Sequence, residues 1–370
     1  MTSPWRVARH HRWSELIPNQ ECVTRMPEAL PTSAEIAAAL ATHWHLTNVA
    51  VMPLLGGMNS VTWEVTPLFP PGDGPARAAR RPAAASPDRG GWAGEGPHLA
   101  VPAAARLVAK AVPRGPAEDR FLLGLRLAAR AERAGLPSGA AVPTVDGAST
   151  VAVAGHRLAL LRWVDGRIPD PADERDLTLV GATLGRAHRV LGDEPVDPGE
   201  ARATLDPLAE PPDPEVLAAW PWLRPALEDV AALLRGVRPE TLNWGPLHGD
   251  PALEHFRIHP RTGRCGLIDW GAAGRGARLY DLATVVMDLG TPREAAPLLA
   301  AYRTHGPLSA EEIDRALPAL LAFRHAVNAV YYAERLLRGD TTGVADQAEN
   351  AARLAEARRA LGALPAGTPE

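Results

Sequence analysis

The segment LHGDPALEHF, residues 247–256, is followed along the chain by the segment GLIDW, residues 266–270. Each contains one aspartate: Asp250 follows a His-Gly pair, and Asp269 follows a short apolar run that is typical of a buried strand. Pro260 and Gly263 predict a hairpin turn in the segment that joins the two aspartates, and this hairpin would bring the aspartates together. Phosphoryl transfer needs such a pair, one carboxylate to orient and deprotonate a hydroxyl and another to hold a metal ion on the phosphates.

A single aspartate near a turn is most simply explained as a cap or a turn residue, but the combination here is more specific. The His-Gly-Asp sequence, a further side chain five residues on at His255, and the apolar run ending in Asp269 resemble the aminoglycoside phosphotransferase and choline kinase family. The sequence RLYDLA, residues 278–283, continues the resemblance. It extends loosely into the N-terminal half of the chain.

The resemblance implies an α+β fold of the two-lobed protein-kinase type, with a small N-terminal antiparallel sheet plus one helix and a larger, mainly helical C-terminal lobe. It also implies an O-phosphotransferase that uses ATP or GTP with Mg²⁺ or Mn²⁺ and acts on a hydroxyl of a small molecule, either an antibiotic or a metabolite. In that family pattern Asp250 would be the catalytic residue, Asp269 would bind the metal ion, and His248 and Asp281 would support the site.

Composition is that of an ordinary globular protein. The chain has 370 residues, of which 46% are hydrophobic and 22% charged, with a net charge of −4. This balance argues against nucleic acid or an anionic membrane as a partner. No apolar run reaches the ~18 residues of a membrane span. Two distant cysteines, Cys22 and Cys265, fit a reducing compartment, so we expect a cytoplasmic protein.

The expected organisation is two lobes of different character. Residues 66–100 are rich in Pro, Gly, Ala and Arg and contain too little apolar surface to offset the entropy of ordering, so a flexible insertion is predicted there. Helix interruptions are predicted near Pro221, Pro225 and Pro318. The predicted divisions are an N-terminal arm at 1–30, a nucleotide-binding lobe at 31–165, a catalytic and acceptor-binding lobe at 166–362, and a tail at 363–370.

Two features of the predicted N-terminal lobe suit phosphate binding. A glycine-rich loop would let backbone N–H groups approach phosphates, although glycine and asparagine also suit an ordinary hairpin turn. Lys110, the sole lysine of the chain, lies within a predicted third strand and would grip the nucleotide, or else protect a sheet edge. The residues of the loop that we assign to nucleotide binding are Gly56, Gly57, Asn59 and Ser60.

The sequence departs from the family pattern at two positions. Gly124 stands near the place of a helix glutamate that normally pairs with the lysine, and Glu118 or Glu132 could replace it. His255 stands where an asparagine normally binds a second metal ion. Imidazole favours transition metals over Mg²⁺, so His255 implies a single ion on Asp269, an altered metal preference or weakened catalysis.

These departures leave alternative functions open. A catalytically weak, kinase-like protein that binds a nucleotide or a small molecule would tolerate both of them. A metal-dependent hydrolase using Asp250, His255 and Asp269 would leave the glycine-rich loop and Lys110 without a role. Nucleotide-dependent stabilisation with and without a divalent metal would distinguish these alternatives.

Overall fold

A computed structural model of the protein describes residues 30–54, 60–68 and 106–363. Most of the predicted N-terminal arm, the predicted insertion and the predicted tail lies outside these residues. In the described part of the chain, no helix combines the length and the apolar character that a membrane crossing requires.

The N-terminal half of the described chain contains an antiparallel sheet in the order β1-β2-β3-β5-β4. The strands match the expected segments closely, because short runs of apolar residues mark them in the sequence. Their bounds are Val49–Leu54 for β1, Val61–Pro67 for β2, Leu107–Pro113 for β3, Val151–Val153 for β4 and His156–Arg162 for β5.

Two helices cover the two faces of this sheet. Helix α1, Ser33–Trp44, shares a core with Trp63, Val65 and Ala109, whereas helix α2, Pro116–Arg133, packs near Val112. Side chains alternate between the faces of a strand, so Lys110 lies on the α2 face of β3, together with Val112. Lys110 is therefore buried between the sheet and the helix that follows it, with 6% of its surface exposed.

The rest of the described chain is mainly helical and shares one large hydrophobic core. Its helices surround two small strand pairs, which carry the loops of the site. The helices are α3, Glu174–Leu191; α4, Pro198–Thr204; α5, Pro214–Ala219; α6, Leu223–Val237; α7, Leu279–Leu289; α8, Ala296–His305; α9, Ala310–Arg338; and α10, Gln347–Gly362.

The two strand pairs place the loops of Asp250 and Asp269 next to each other. Strands β7, Phe256–Ile258, and β8, Cys265–Leu267, form the hairpin expected between the two aspartates. A second antiparallel pair joins β6, Trp244–Leu247, to β9, Gly274–Ala277. Asp250 follows β6, and Asp269 follows β8, so both aspartates lie at strand ends.

The predicted interruptions at prolines are partly wrong. Helix α9 continues through Pro318, whose neighbours Leu317, Ala319 and Leu320 are buried, because packing outweighs one missing backbone bond. Pro225 lies in the first turn of α6, where the backbone N–H has no helical partner to lose.

The segment between β5 and α3 is tied to the C-terminal half by two sets of bonds. Arg167 and Ile258 exchange backbone hydrogen bonds of 3.0 and 2.8 Å. The Arg167 guanidinium also donates to both carboxylate oxygens of Asp176 in α3. This segment contains the predicted lobe boundary at residues 165 and 166, which stays a prediction.

Candidate active site

The loop that carries Asp250 begins directly after β6. Gly249 has φ of +87°, and a Cβ there would lie 2.0 Å from the carbonyl oxygen of Ala272, so the loop requires glycine at this position. The Asp281 carboxylate accepts hydrogen bonds from the backbone N–H groups of His248, at 2.7 Å, and Gly249, at 2.9 Å. These contacts fix the backbone on the N-terminal side of Asp250.

Asp281 is itself fully buried and held by a second histidine. His188 Nε2 lies 3.0 Å from the Asp281 carboxylate, and its Nδ1 lies 2.7 Å from the Tyr302 hydroxyl. Burying a carboxylate costs free energy unless hydrogen-bond donors replace water. The two backbone N–H groups and the His188 imidazole supply these donors to Asp281. Asp281 thus connects α3 and α7 to the loop of Asp250.

The His248 side chain links the loops of the two aspartates. Its Nε2 lies 2.9 Å from the carbonyl oxygen of Ile268, its Nδ1 lies 3.4 Å from the backbone nitrogen of Asp250, and its ring packs 4.7 Å from Trp270. Burial lowers the pKa of His248, and the neighbouring charge of His255 adds to this effect. A buried, neutral histidine with both nitrogens bonded is suited to holding the loops together.

Asp269 lies at the junction of the two halves of the chain. It has a left-handed backbone conformation, φ +61° and ψ +65°, and begins the short 3-10 helix Trp270–Ala272. Its Oδ1 lies 2.5 Å from Lys110 Nζ. Burial would raise the pKa of Asp269, but the positive charges of Lys110 and His255 outweigh it and hold the pKa well below its ordinary value.

His255 contacts both aspartates. Its Nδ1 lies 2.7 Å from the backbone carbonyl oxygen of Asp250, and its Nε2 lies 3.9 Å from Asp269 Oδ2. A carbonyl oxygen only accepts, so Nδ1 carries a proton, and Nε2 is the ring nitrogen that faces the Asp269 carboxylate. Histidines that bind metal ions are commonly oriented by such a bond from the other ring nitrogen.

The donor set of Asp269 and His255 fits a divalent metal ion, with one carboxylate oxygen and one imidazole nitrogen facing each other. Within residues 30–54, 60–68 and 106–363, no group of three or more His, Cys, Asp or Glu side chains is arranged to hold a metal ion. A metal ion here would therefore need further ligands from phosphate oxygens or water, as Mg²⁺ usually does.

Lys110 has a partner that the sequence did not predict. Neither expected glutamate bonds to it, because Glu118 pairs with Arg157 at 2.6 Å and Glu132 pairs with Arg162 at 3.2 Å. That expectation is wrong, and the contact with Asp269 takes its place. The two residues are 159 positions apart in sequence, so no local pattern could have indicated this pair.

Gly124 explains why the expected helix glutamate is missing. A Cβ on Gly124 would lie 2.0 Å from the carbonyl oxygen of Trp270, so α2 packs directly on the short helix that follows Asp269. Any side chain at this position would force the helix away. Lys110 therefore depends on Asp269 for its negative partner.

The glycine-rich loop is only partly described. Gly56, Gly57 and Asn59 lie outside the described residues, so their assignment to nucleotide binding stays a prediction. Ser60 lies directly before β2, in which Thr62 pairs with Lys110. The loop therefore leads into the strand beside the one that carries Lys110.

One polar residue of the site was missed by the sequence reasoning. Arg324, on α9, places Nη2 3.1 Å from Asp250 Oδ1. The two residues are 74 positions apart, and Arg324 is one of several arginines on a long helix. Nothing in its spacing sets it apart from the others.

Solved structures of several kinases share this fold. A structure of amicoumacin kinase with AMP-PNP, Ca²⁺ and its antibiotic has a TM-score of 0.59 at 16% identity, covering 88% of this chain and 90% of that one. A microcompartment-associated aminopropanol kinase has a TM-score of 0.56 at 15% identity, covering 89% and 95%. A choline kinase of Streptococcus pneumoniae has a TM-score of 0.53 at 16% identity, covering 89% and 98%. These likenesses confirm the predicted two-lobed, protein-kinase-like fold.

Sequence comparison gives the family. An uncharacterized protein of Deinococcus radiodurans is 31% identical over 230 residues, which are 57% of this chain and 65% of that protein. The chain thus spans less than two thirds of that relative's length. Residues 85–318 match the phosphotransferase enzyme family, to which the aminoglycoside phosphotransferases belong. Because this match covers more than half of the chain, the protein belongs to the phosphotransferase enzyme family.

Proposed function

We propose that the protein is a small-molecule kinase that transfers the γ-phosphoryl group of ATP to a hydroxyl of its acceptor. The observation that carries this proposal is the convergence of Lys110 and His255 on Asp269, beside the loop of Asp250. The nucleotide would lie between the lobes formed by residues 31–165 and 166–362. Phosphoryl transfer depends mainly on positioning and charge neutralisation, which this arrangement of charges can supply.

Each residue has a distinct role in this proposal. Asp250, with 34% of its side chain exposed, would accept the proton of the acceptor hydroxyl. Lys110 would exchange its bond with Asp269 for bonds to the nucleotide phosphates. Backbone N–H groups near Gly56, Gly57, Asn59 and Ser60 would bind the same phosphates. His248 and Asp281 hold the loop and do not take part in proton transfer.

Asp269 and His255 would hold the divalent metal ion. When bound, the ion would neutralise charge on the phosphate oxygens. The Asp269 carboxylate would then have to leave Lys110, which agrees with the proposed movement of Lys110 to the phosphates. A metal with some preference for nitrogen ligands, such as Mn²⁺, would suit this pair better than Mg²⁺.

The family and the fold support a small-molecule acceptor. The structurally similar kinases act, by their names, on amicoumacin, aminopropanol and choline. We therefore propose an acceptor that carries an alcohol group, either an antibiotic or a metabolite. The acceptor itself has to be found by screening such compounds for ATP consumption.

The first experiment measures thermal stability with ATP or its non-hydrolysable analogue, with and without Mg²⁺ or Mn²⁺. A ligand present at 100 times its Kd stabilises the folded state by about 2.7 kcal/mol, which is readily measured. The Lys110→Met variant should lose most of this stabilisation, and the Asp269→Asn variant should lose the part that depends on metal. Equal stabilisation of all three proteins would contradict the proposed nucleotide site.

The main alternative is a nucleotide-binding protein with little catalytic activity. The replacement of the helix glutamate by Gly124 and of the asparagine by His255 favours it. Stabilisation by nucleotide and metal without ATP consumption, across a broad panel of hydroxylated compounds, would support this alternative over a kinase.

A further inference from the structure

Arg324 is held in place by three polar partners. Its Nη2 lies 3.1 Å from Asp250 Oδ1, its Nε donates to Thr284 Oγ1 at 3.2 Å, and its Nη1 donates to Asn328 Oδ1 at 2.5 Å. The guanidinium carbon also lies 5.7 Å from the centre of the Tyr280 ring. Only 11% of the side chain is exposed, so protein contacts rather than solvent fix its position.

These contacts join two helices to the loop of Asp250. Tyr280 and Thr284 lie on α7, one turn apart, and Arg324 and Asn328 lie one turn apart on α9. The planar guanidinium can reach three acceptors in different directions, which a lysine ammonium on a flexible stem could not reproduce. The positive charge of Arg324 is thus buried, and its N–H groups point at fixed acceptors.

The contact with Arg324 supplies something that the backbone bonds of the loop do not. Asp281 fixes the N–H groups of His248 and Gly249, and therefore the path of the chain before Asp250. Those bonds leave the side-chain torsions of Asp250 free. Arg324 holds Oδ1 of that side chain, which fixes the direction of the carboxylate.

We propose that Arg324 is a positioning residue, which holds Asp250 Oδ1 so that Oδ2 receives the proton of the acceptor hydroxyl. This inference rests on the proposed phosphotransferase function. In the step concerned, the hydroxyl proton moves to Oδ2 and the hydroxyl oxygen forms a bond to the γ-phosphorus. The bond from the γ-phosphorus to the bridging oxygen breaks, and its electron pair leaves with ADP.

The test uses the full-length protein and water as the acceptor. ATP hydrolysis with Mn²⁺ or Mg²⁺ is measured for the wild type, Arg324→Ala, Asp250→Asn and the double variant, with nucleotide binding and melting temperature measured for each. Arg303→Ala is the matched control. Arg303 also pairs with an acceptor, Asp314, which lies on the helix of Arg324, but this pair is exposed. We expect this variant to behave as the wild type does.

If Arg324 acts through Asp250, Arg324→Ala should lower kcat by ~10–100-fold with little change in KM for ATP, since misplacing a reacting group costs up to ~100-fold. In the Asp250→Asn background, the same substitution should change kcat by less than ~3-fold, because coupled residues are not additive. Arg324→Lys should recover only part of the loss. A purely structural role would lower the rate by the same factor in both backgrounds.

Additive effects, or wild-type kcat in Arg324→Ala, would overturn the inference while leaving the proposed function intact. A wild type that neither binds nor hydrolyses ATP would overturn the proposed function and the inference with it. If Arg324→Ala does not fold, the Asn328→Ala variant is used instead, because it removes the acceptor of Arg324 Nη1 and so loosens the guanidinium. A several-fold fall in kcat, absent in the Asp250→Asn background, supports the inference, and an unchanged kcat overturns it.

Discussion

At the scale of single residues, Asp250 combines a fixed backbone with a partly exposed carboxylate. If it accepts the proton of the hydroxyl, Asp250→Asn should lower turnover by ~10²–10⁴-fold, the range for a positioned acid or base. Nucleotide affinity should change little, because Lys110 and Asp269 are not altered. Steady-state kinetics together with nucleotide titration test this prediction. Full turnover in a correctly folded Asp250→Asn protein would remove Asp250 from the mechanism.

His255 allows a prediction about metal preference. Its Nε2 faces Asp269 Oδ2 at 3.9 Å, so the wild type should favour Mn²⁺ over Mg²⁺ more strongly than His255→Asn, in which a harder oxygen ligand replaces nitrogen. Binding of Mn²⁺ should also weaken as the pH is lowered, because a protonated imidazole cannot bind a metal ion. Titration with each metal at several pH values, and activity ratios in both proteins, measure this.

The outcome that contradicts a ligand role for His255 is an identical ratio of Mn²⁺ to Mg²⁺ affinity in the two proteins at every pH. In that case Asp269 alone would supply the protein's ligand to the metal ion. His255 would then contribute only by supporting the loop, through the bond from its ring Nδ1 to the backbone carbonyl oxygen of Asp250.

At the scale of elements, the packing of α2 on the helix after Asp269 depends on Gly124. Gly124→Ala should destabilise the protein by ~1–3 kcal/mol, the usual cost of overpacking, because its Cβ would meet the Trp270 carbonyl oxygen. Gly236→Ala, in α6, is the matched control, since no atom lies within 4 Å of a Cβ there. It should stabilise the protein by up to ~1 kcal/mol. Urea unfolding of both variants tests this, and equal effects would contradict it.

The contribution of the Arg167–Asp176 pair, between β5 and α3, to the stability of the protein should depend on pH. The bond from Arg167 lowers the pKa of Asp176. A carboxylate whose pKa is lowered by folding stabilises fully above its ordinary value of about 3.9, and this stabilisation is lost as pH falls through the folded-state pKa. Asp176→Asn should therefore be less stable than the wild type at pH 7, and the difference should shrink below about pH 4.

Free energies of unfolding in urea at pH 7, 5, 4 and 3 measure this difference. Asp165→Asn, at an exposed position of the same connection, is the control and should track the wild type at every pH. A difference between the wild type and Asp176→Asn that is constant with pH would show that the charge of Asp176 does not contribute.

At the scale of the whole molecule, the large core of the C-terminal half also includes Leu127, Ala128 and Ala131 of α2, whereas the sheet and α1 share a smaller core of their own. The Lys110–Asp269 pair is one of the charged contacts between the two halves. In the sheet, Val65 of β2 pairs with Leu107 of β3, so the strand ends on either side of the predicted insertion lie next to each other. A much shorter connection could join them without moving either strand.

Deleting residues 70–98 should therefore leave the melting temperature nearly unchanged. Each doubling of the length of a flexible loop costs only ~0.6 kcal/mol, so shortening it gains little and loses little. Thermal unfolding of the deletion variant, with nucleotide binding as the check on the folded state, tests this prediction. A large fall in melting temperature would contradict the prediction of a flexible insertion.

The strands β1 to β5, the helix α2 and the neighbouring loops of Asp250 and Asp269 follow from the sequence, because periodicity and turn residues are local signals. Strands β6 and β9 do not. Their sequences, WGPL and GRGA, contain glycine or proline and have little tendency to form strands, and they do so only by pairing with each other.

The contacts between side chains of the site could not be predicted from local sequence signals. The partner of Lys110, the bond from Arg324 to Asp250 and the approach of α2 at Gly124 join residues far apart in the chain. Such contacts depend on how whole elements pack, and their energies arise only when those elements are assembled. The sequence therefore predicted the family, the fold and the neighbouring loops of the two aspartates, while tertiary packing decided which charged side chains meet those aspartates.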